Sequence, residues 1–243
     1  MYTEPEIPQA RPRPFIAPGR SEVLFGLAYL ILHMFFIGHA LRLLTDLFDL
    51  SLSMISLNLL YLLLGSLVLT LGMRRYLMAS FDRFRAYGIR NLKAFFMGCV
   101  IRYGSAIPLS IIIILLLPEF NTTPNNEAVL AMAYEHLFPT AFLAIVLAPI
   151  AEELLFRGAL YGGLRNKNRI LAYVVSSLLF AFLHVLSFLL LIPTASLLLM
   201  MLLYIPAGVA LAYAYEKSGS IWTAIFLHAG MNFIAIALNV TLF

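Results

Sequence analysis

Residues 138–163 read FPTAFLAIVLAPIAEELLFRGALYGG, a long apolar run in which only Glu152, Glu153 and Arg157 are charged. A helix rises about 1.5 Å per residue, so a run of this length is long enough for a hydrocarbon core about 30 Å thick. Charges interrupt the run and Pro149 is expected to bend it, which makes it the weakest of the candidate spans. Six further apolar runs flank it, at about 22–45, 52–73, 94–117, 170–191, 196–215 and 221–240. The expected fold is all-α: a polytopic transmembrane bundle of about seven to eight helices.

Composition supports lipid as the solvent. Hydrophobic residues make up 62% of the 243 positions and charged residues 12%, against roughly a quarter charged in soluble domains. The formal net charge of +4 therefore reads as loop charge facing an anionic leaflet rather than a nucleic-acid footprint. Cys99 sits alone inside an apolar run, so it has no disulfide partner within the chain and is expected to pack.

Residues 1–20, MYTEPEIPQARPRPFIAPGR, contain five prolines and no apolar core stretch. They are expected to form a disordered cytoplasmic tail, with residues 21–243 as one transmembrane domain and the catalytic core at 138–240. No signal-peptide pattern is visible, so the first span is expected to direct insertion.

The loops divide by charge. Arg11, Arg13 and Arg20 lie in the tail. Arg74, Arg75, Arg83, Arg85, Arg90 and Lys93 follow the second span, and Arg165, Lys167 and Arg169 follow the fourth. The alternate loops hold Asp46 and Asp49, then Glu119, Glu127 and Glu135. Positive loops stay inside, so the N-terminus is expected in the cytoplasm.

An ionisable group at the bilayer centre costs about 2.5–3.5 kcal/mol on insertion scales, so its presence is a functional hypothesis by default. Of the twelve acids, only Glu152 and Glu153 lie inside a span. Glu153 precedes Arg157 by four residues, the favourable order for a pair on one helix face. Glu152 projects about 100° away, has no local cation, and is left available for chemistry.

Five histidines occur. His33, His39 and His136 are expected to be packing residues. His184 ends the run Phe180-Ala181-Phe182-Leu183-His184, and His228 precedes Asn232 by one helical turn on the same face. Counted from the cytoplasmic span ends, Glu152, His184, His228 and Asn232 fall about 10–21 Å deep. Four polar residues from three spans thus share one slab of the membrane.

Taken together, Glu152-Glu153-x-x-x-Arg157, Phe180-x-x-x-His184 and His228-x-x-x-Asn232 resemble the three motifs of the CAAX protease and bacteriocin-processing (CPBP, or Abi) family of membrane proteases. The resemblance spans about residues 145–235; the first half of the chain carries no such motif. It implies an intramembrane endopeptidase related to type II CAAX prenyl endopeptidases. Glu152 would be the general base, with His184 as its partner in activating a water. His228 and Asn232 would stabilise the oxyanion, while Glu153, Arg157 and Phe180 would support the site. Each role is chemically coherent, since peptide hydrolysis needs an activated water and donors for the tetrahedral oxyanion. Glu152, His184 and His228 are also the candidate ligands for Zn²⁺, and the residues leave open whether a metal takes part.

The expected substrate is a membrane-associated protein or peptide, in a prokaryotic plasma membrane. Two other classes compete. One is a non-catalytic scaffold, bacteriocin-immunity or regulatory protein of the same family. The other is an ion-coupled transporter using the Glu/His cluster, against which no inverted repeat or pair of broken helices is visible. The HExxH zinc motif is absent, as is a serine-protease GxSG motif, and Asp46, Asp49 and Asp82 lie in loops or at span ends.

Overall fold

The computed structural model describes residues 15–116 and 123–242. The described residues form nine helices and no strands: α1 (Arg20–Leu47), α2 (Met54–Gly72), α3 (Arg74–Ala86), α4 (Gly88–Leu116), α5 (Pro124–Glu135), α6 (Leu137–Arg165), α7 (Arg169–Leu186), α8 (Thr194–Ser218) and α9 (Ile221–Leu242). Seven are long and apolar enough to cross a membrane: all but α3 and α5. The protein is a multi-pass integral membrane protein.

Local sequence explains where several helices begin and end. Ser53 accepts a hydrogen bond from the Ser56 N–H at the start of α2, and Asn168 does the same for Leu171 at the start of α7. α5 opens with Thr123 as its cap and Pro124 in the first turn. α8 ends at Gly219, whose φ of 73° is the left-handed geometry a helix stop requires. A Cβ there would also meet Arg83 Nε at 2.4 Å.

α6 is the centre of the bundle. Leu154, Leu155, Phe156, Ala159 and Tyr161 on it are essentially inaccessible. α1 packs along its second half, and α9 crosses near its middle. α8 lies between α4 and α7 and contributes Ala210, Leu211, Ala212, Ala214 and Tyr215 to the same core. The outer faces of α1, α2 and α4 present Phe35, Leu63, Leu64, Ile111 and Leu115 outward, where acyl chains solvate them without cost. Small residues set the closest approaches. Gly208 of α8 lies so near α7 that an added Cβ would be 2.9 Å from the Ser177 Cα.

The expected spans agree with the helices to within a few residues, with three corrections. The fifth was expected to reach residue 191, but α7 stops at Leu186 and residues 187–192 form turns before Pro193. Apolar side chains there, Leu190 and Leu191 among them, signal lipid contact and not helix. The third begins at Gly88 rather than 94, because Arg90 and Asn91 remain helical while bonding to the carbonyls of Lys217 and Phe84. The segment after α2, expected as a loop, is the amphipathic helix α3. It lies across one end of the bundle, joined by Tyr76 to Tyr215 and by Ser80 to Ser220.

Residues 15–18, within the stretch expected as a tail, run extended against the bundle. Phe15 packs on Tyr215 with Arg165 over its ring, and the Ile16 carbonyl accepts from Tyr215. Residues 1–14, with Arg11 and Arg13, lie outside the described residues, as do Leu117 and Glu119. Beside Phe15, Glu216 of α8 accepts from Tyr161 and pairs with Arg165 and Arg169. That cluster ties α6, α7 and α8 together at one end and fixes their relative depth.

Candidate active site

α6 departs from α-helical geometry at two places. Residues Leu143–Leu147 and Leu154–Tyr161 are wound as π-helix, an uncommon geometry that occurs mostly at functional sites. Glu152 and Glu153 lie on the α-helical turn between the two π segments.

The adjacent glutamates face different surroundings. Glu153 and Arg157 are both fully buried, and Arg157 Nη1 donates to Glu153 Oε1 at 2.9 Å. Arg157 Nη2 donates to the Gly208 carbonyl at 3.0 Å, and its guanidinium lies 4.6 Å over the Phe180 ring. Glu153 Oε1 also accepts from His228 Nδ1 at 2.9 Å. A buried pair of charges needs additional hydrogen bonds, and three helices supply them to Glu153 Oε1 and Arg157 Nη2, while Glu153 Oε2 and Arg157 Nε are buried without a partner.

Glu152 keeps 18% of its side-chain area accessible, and His184 keeps 15%. Its Oε2 atom has no hydrogen-bond partner and lies 3.8 Å from His184 Nε2 and 4.0 Å from His228 Nε2. These separations are too long for direct hydrogen bonds. Both imidazoles are oriented from behind. His184 Nδ1 bonds to the Phe180 carbonyl at 2.8 Å. A carbonyl only accepts, so Nδ1 carries a proton, and Nε2 is the ring atom turned toward Glu152.

Phe180 acts as the spacer. Its ring lies 4.4 Å from the His184 ring and 5.7 Å, edge to face, from that of His228, with Arg157 on it. Glu152, His184 and His228 therefore converge, with Glu153, Arg157 and Phe180 behind them. Asn232 lies one turn beyond His228 on α9. Its Nδ2 donates to the Ala144 carbonyl of the first π segment at 2.7 Å.

Zn²⁺ is the metal that these donor types would hold. Their chemistry suits it, since each imidazole presents Nε2 and is held through Nδ1. Their spacing does not. Tetrahedral ligands about 2.0–2.1 Å from the ion lie about 3.3–3.4 Å from one another, short of the 3.8 and 4.0 Å gaps. Among the described residues no three such side chains form a group that could hold a metal ion.

Sequence reasoning missed Tyr204. Its ring stacks 4.5 Å from that of His184, and its hydroxyl bonds to Thr123 and Asn126 at the start of α5. A hydroxyl-bearing ring within the apolar run LLLMMLLY was the available signal. His33 was expected to pack. Its Nδ1 is paired with the Tyr61 hydroxyl at 2.7 Å. His39 and His136 are exposed, away from the trio.

Comparison with known proteins places these motifs. Residues 134–234 match the family model for Rce1-like type II CAAX prenyl endopeptidases. A Bacillus subtilis (strain 168) protein named "Putative membrane peptidase YdiL" is 30% identical over 95 residues, 39% of this chain and 34% of that protein. The similarity thus covers about a third of that relative's length. No solved structure gives a significant match. The matched stretch, residues 134–234, carries all three motifs, so the similarity to Rce1-like type II CAAX prenyl endopeptidases falls where the motif resemblance lies.

Proposed function

We propose that this protein is an intramembrane endopeptidase that hydrolyses a peptide bond of a membrane-associated protein or peptide, with Glu152 as general base. The observation that carries the reading is the convergence of two imidazole Nε2 atoms on the unpartnered Oε2 of Glu152, an atom buried within a side chain that stays partly accessible.

A water about 2.8 Å from both Glu152 Oε2 and His184 Nε2 directs one hydrogen to each. Its lone pair is then free to attack a scissile carbonyl. Glu152 takes the proton as the bond forms and passes it to the leaving amine when the tetrahedral intermediate collapses. His184 orients the water, because its Nδ1 hydrogen is committed to the Phe180 carbonyl.

His228 supplies the oxyanion donor. Glu153 accepts from its Nδ1, which turns Nε2 toward the same space, where an Nε2–H donates to the developing oxyanion.

The test is incubation of the protein, reconstituted in liposomes, with membrane-anchored peptide substrates, followed by mass spectrometry of the products. The reading predicts a discrete new amine terminus from the wild type and none from Glu152→Gln. Cleavage that survives in Glu152→Gln removes Glu152 as the base. A wild type that cuts no substrate, yet binds a membrane partner regardless of Glu152, His184 and His228, favours a scaffold.

A further inference from the structure

The backbone around Pro149 gives the side-chain amide of Asn232 a structural task. At the end of the first π segment, the Ala148 N–H donates to the Leu143 carbonyl, five residues back. In that register the next donor, residue 149, would serve the Ala144 carbonyl. Residue 149 is proline and has no N–H to give. The Ala144 carbonyl would be left without a helical donor, and a buried carbonyl without a partner is costly. Asn232 Nδ2 fills the gap at 2.7 Å.

We infer that Asn232 is a positioning residue whose side-chain amide replaces the hydrogen bond that Pro149 deletes. The bond links α6 at Ala144, eight residues before Glu152, to α9 one turn after His228. It thereby holds the two helices at the spacing that puts His228 Nε2 4.0 Å from Glu152. The inference rests on the endopeptidase reading only for its activity arm.

Asn232→Leu keeps the approximate volume and removes the donor. Pro149→Ala returns a backbone N–H to α6, either to Ala144 in the π register or by letting Ala148 revert to Ala144. Four proteins are compared in detergent and in liposomes: wild type, the two single variants and the double variant. Asn232→Leu is expected to lower the melting temperature by about 3–8 °C and to slow cleavage roughly tenfold. Adding Pro149→Ala is expected to recover most of both. A melting temperature unmoved by Asn232→Leu overturns the inference. So does a cleavage defect that stays at full size in a double variant with restored stability, the result expected of an oxyanion donor. If the wild type proves inactive, the endopeptidase reading fails alone, because the melting temperatures still decide whether positions 149 and 232 are coupled.

A separate observation carries a second site. A cavity of about 1050 Å³ lies between the start of α4 and the end of α8. Leu92, Phe96 and Val100 give it an apolar wall, while Arg90, Lys93 and Lys217 line it with three cations and no acid. Arg90 is held across the cavity by its bond to the Lys217 carbonyl. A basic mouth above an apolar groove matches one occupant, an anionic phospholipid, with its phosphate at the cations and an acyl chain along α4.

We infer that this groove retains an anionic phospholipid selectively. The probe is native mass spectrometry of the protein titrated with equal amounts of phosphatidylglycerol and phosphatidylcholine. The wild type is expected to retain phosphatidylglycerol at least fivefold over phosphatidylcholine. Lys93→Gln/Lys217→Gln is expected to bring the ratio near one without lowering the melting temperature in lipid-free detergent. Equal retention by the wild type, or an unchanged ratio in the variant, overturns the inference.

Discussion

Glu153 accepts a hydrogen bond from His228 Nδ1 at 2.9 Å, joining α6 to α9 across 75 residues of sequence. The same oxygen receives Arg157. One glutamate is therefore spent on holding an imidazole and a guanidinium, which leaves its neighbour Glu152 to face the accessible space. The division follows from helix geometry, since consecutive side chains diverge by about 100°.

Arg157→Met leaves Glu153 as a buried carboxylate without its cation. It is expected to destabilise the protein by about 3–5 kcal/mol, read as a lower midpoint of denaturation in micelles. Arg157→Lys is expected to recover little, because one ammonium cannot serve both Glu153 and the Gly208 carbonyl in the geometry of a planar fork.

Gly208→Ala places a Cβ 2.9 Å from Ser177 Cα and 3.1 Å from its carbonyl oxygen. Backbone cannot swing aside as a side chain can, so α7 and α8 must separate, at a cost of about 1–3 kcal/mol. Gly38→Ala is the matched control, since nothing lies within 4 Å of its added Cβ. It is expected to be neutral or slightly stabilising in the same thermal assay.

Tyr204→Phe keeps the ring over His184 and loses only the bonds to Thr123 and Asn126. Its turnover should stay within a few-fold of wild type. Tyr204→Ala frees the His184 ring and should lower kcat by roughly 10- to 100-fold with a smaller change in KM. Steady-state kinetics on one peptide substrate separate the two outcomes.

Chelation tests the spacing of the donors. With gaps of 3.8 and 4.0 Å around Glu152 Oε2, turnover is expected to survive dialysis against a strong chelator. Elemental analysis of the active protein should find well under one metal per chain. Loss of activity on chelation, restored by Zn²⁺, would assign Glu152, His184 and His228 to a metal instead.

Much of this arrangement was legible in sequence because the bilayer penalises polar side chains. Glu152, His184 and His228 stood out as groups with no reason to be in apolar runs, and the three converge. The membrane spans were legible for the same reason, as lengths of uninterrupted apolarity. What escaped has a different origin. α3 and α5 lie where polar residues read equally well as loop. The π segments of α6 arise from how neighbouring helices satisfy its backbone, which no periodicity in residues 143–161 reveals. Asn232 lies on the face expected, but its partner is a carbonyl, and carbonyls are present at every position. Tyr204 was hidden because a tyrosine in a membrane helix is unremarkable until its neighbour is known.

The central claim is that Glu152, and not Glu153, is the base. Initial rates of peptide cleavage should be compared for wild type and Glu152→Gln at matched melting temperature. The account predicts a loss of roughly 10²–10⁴-fold in kcat with little change in KM. A Glu152→Gln protein that cleaves at the wild-type rate would contradict it.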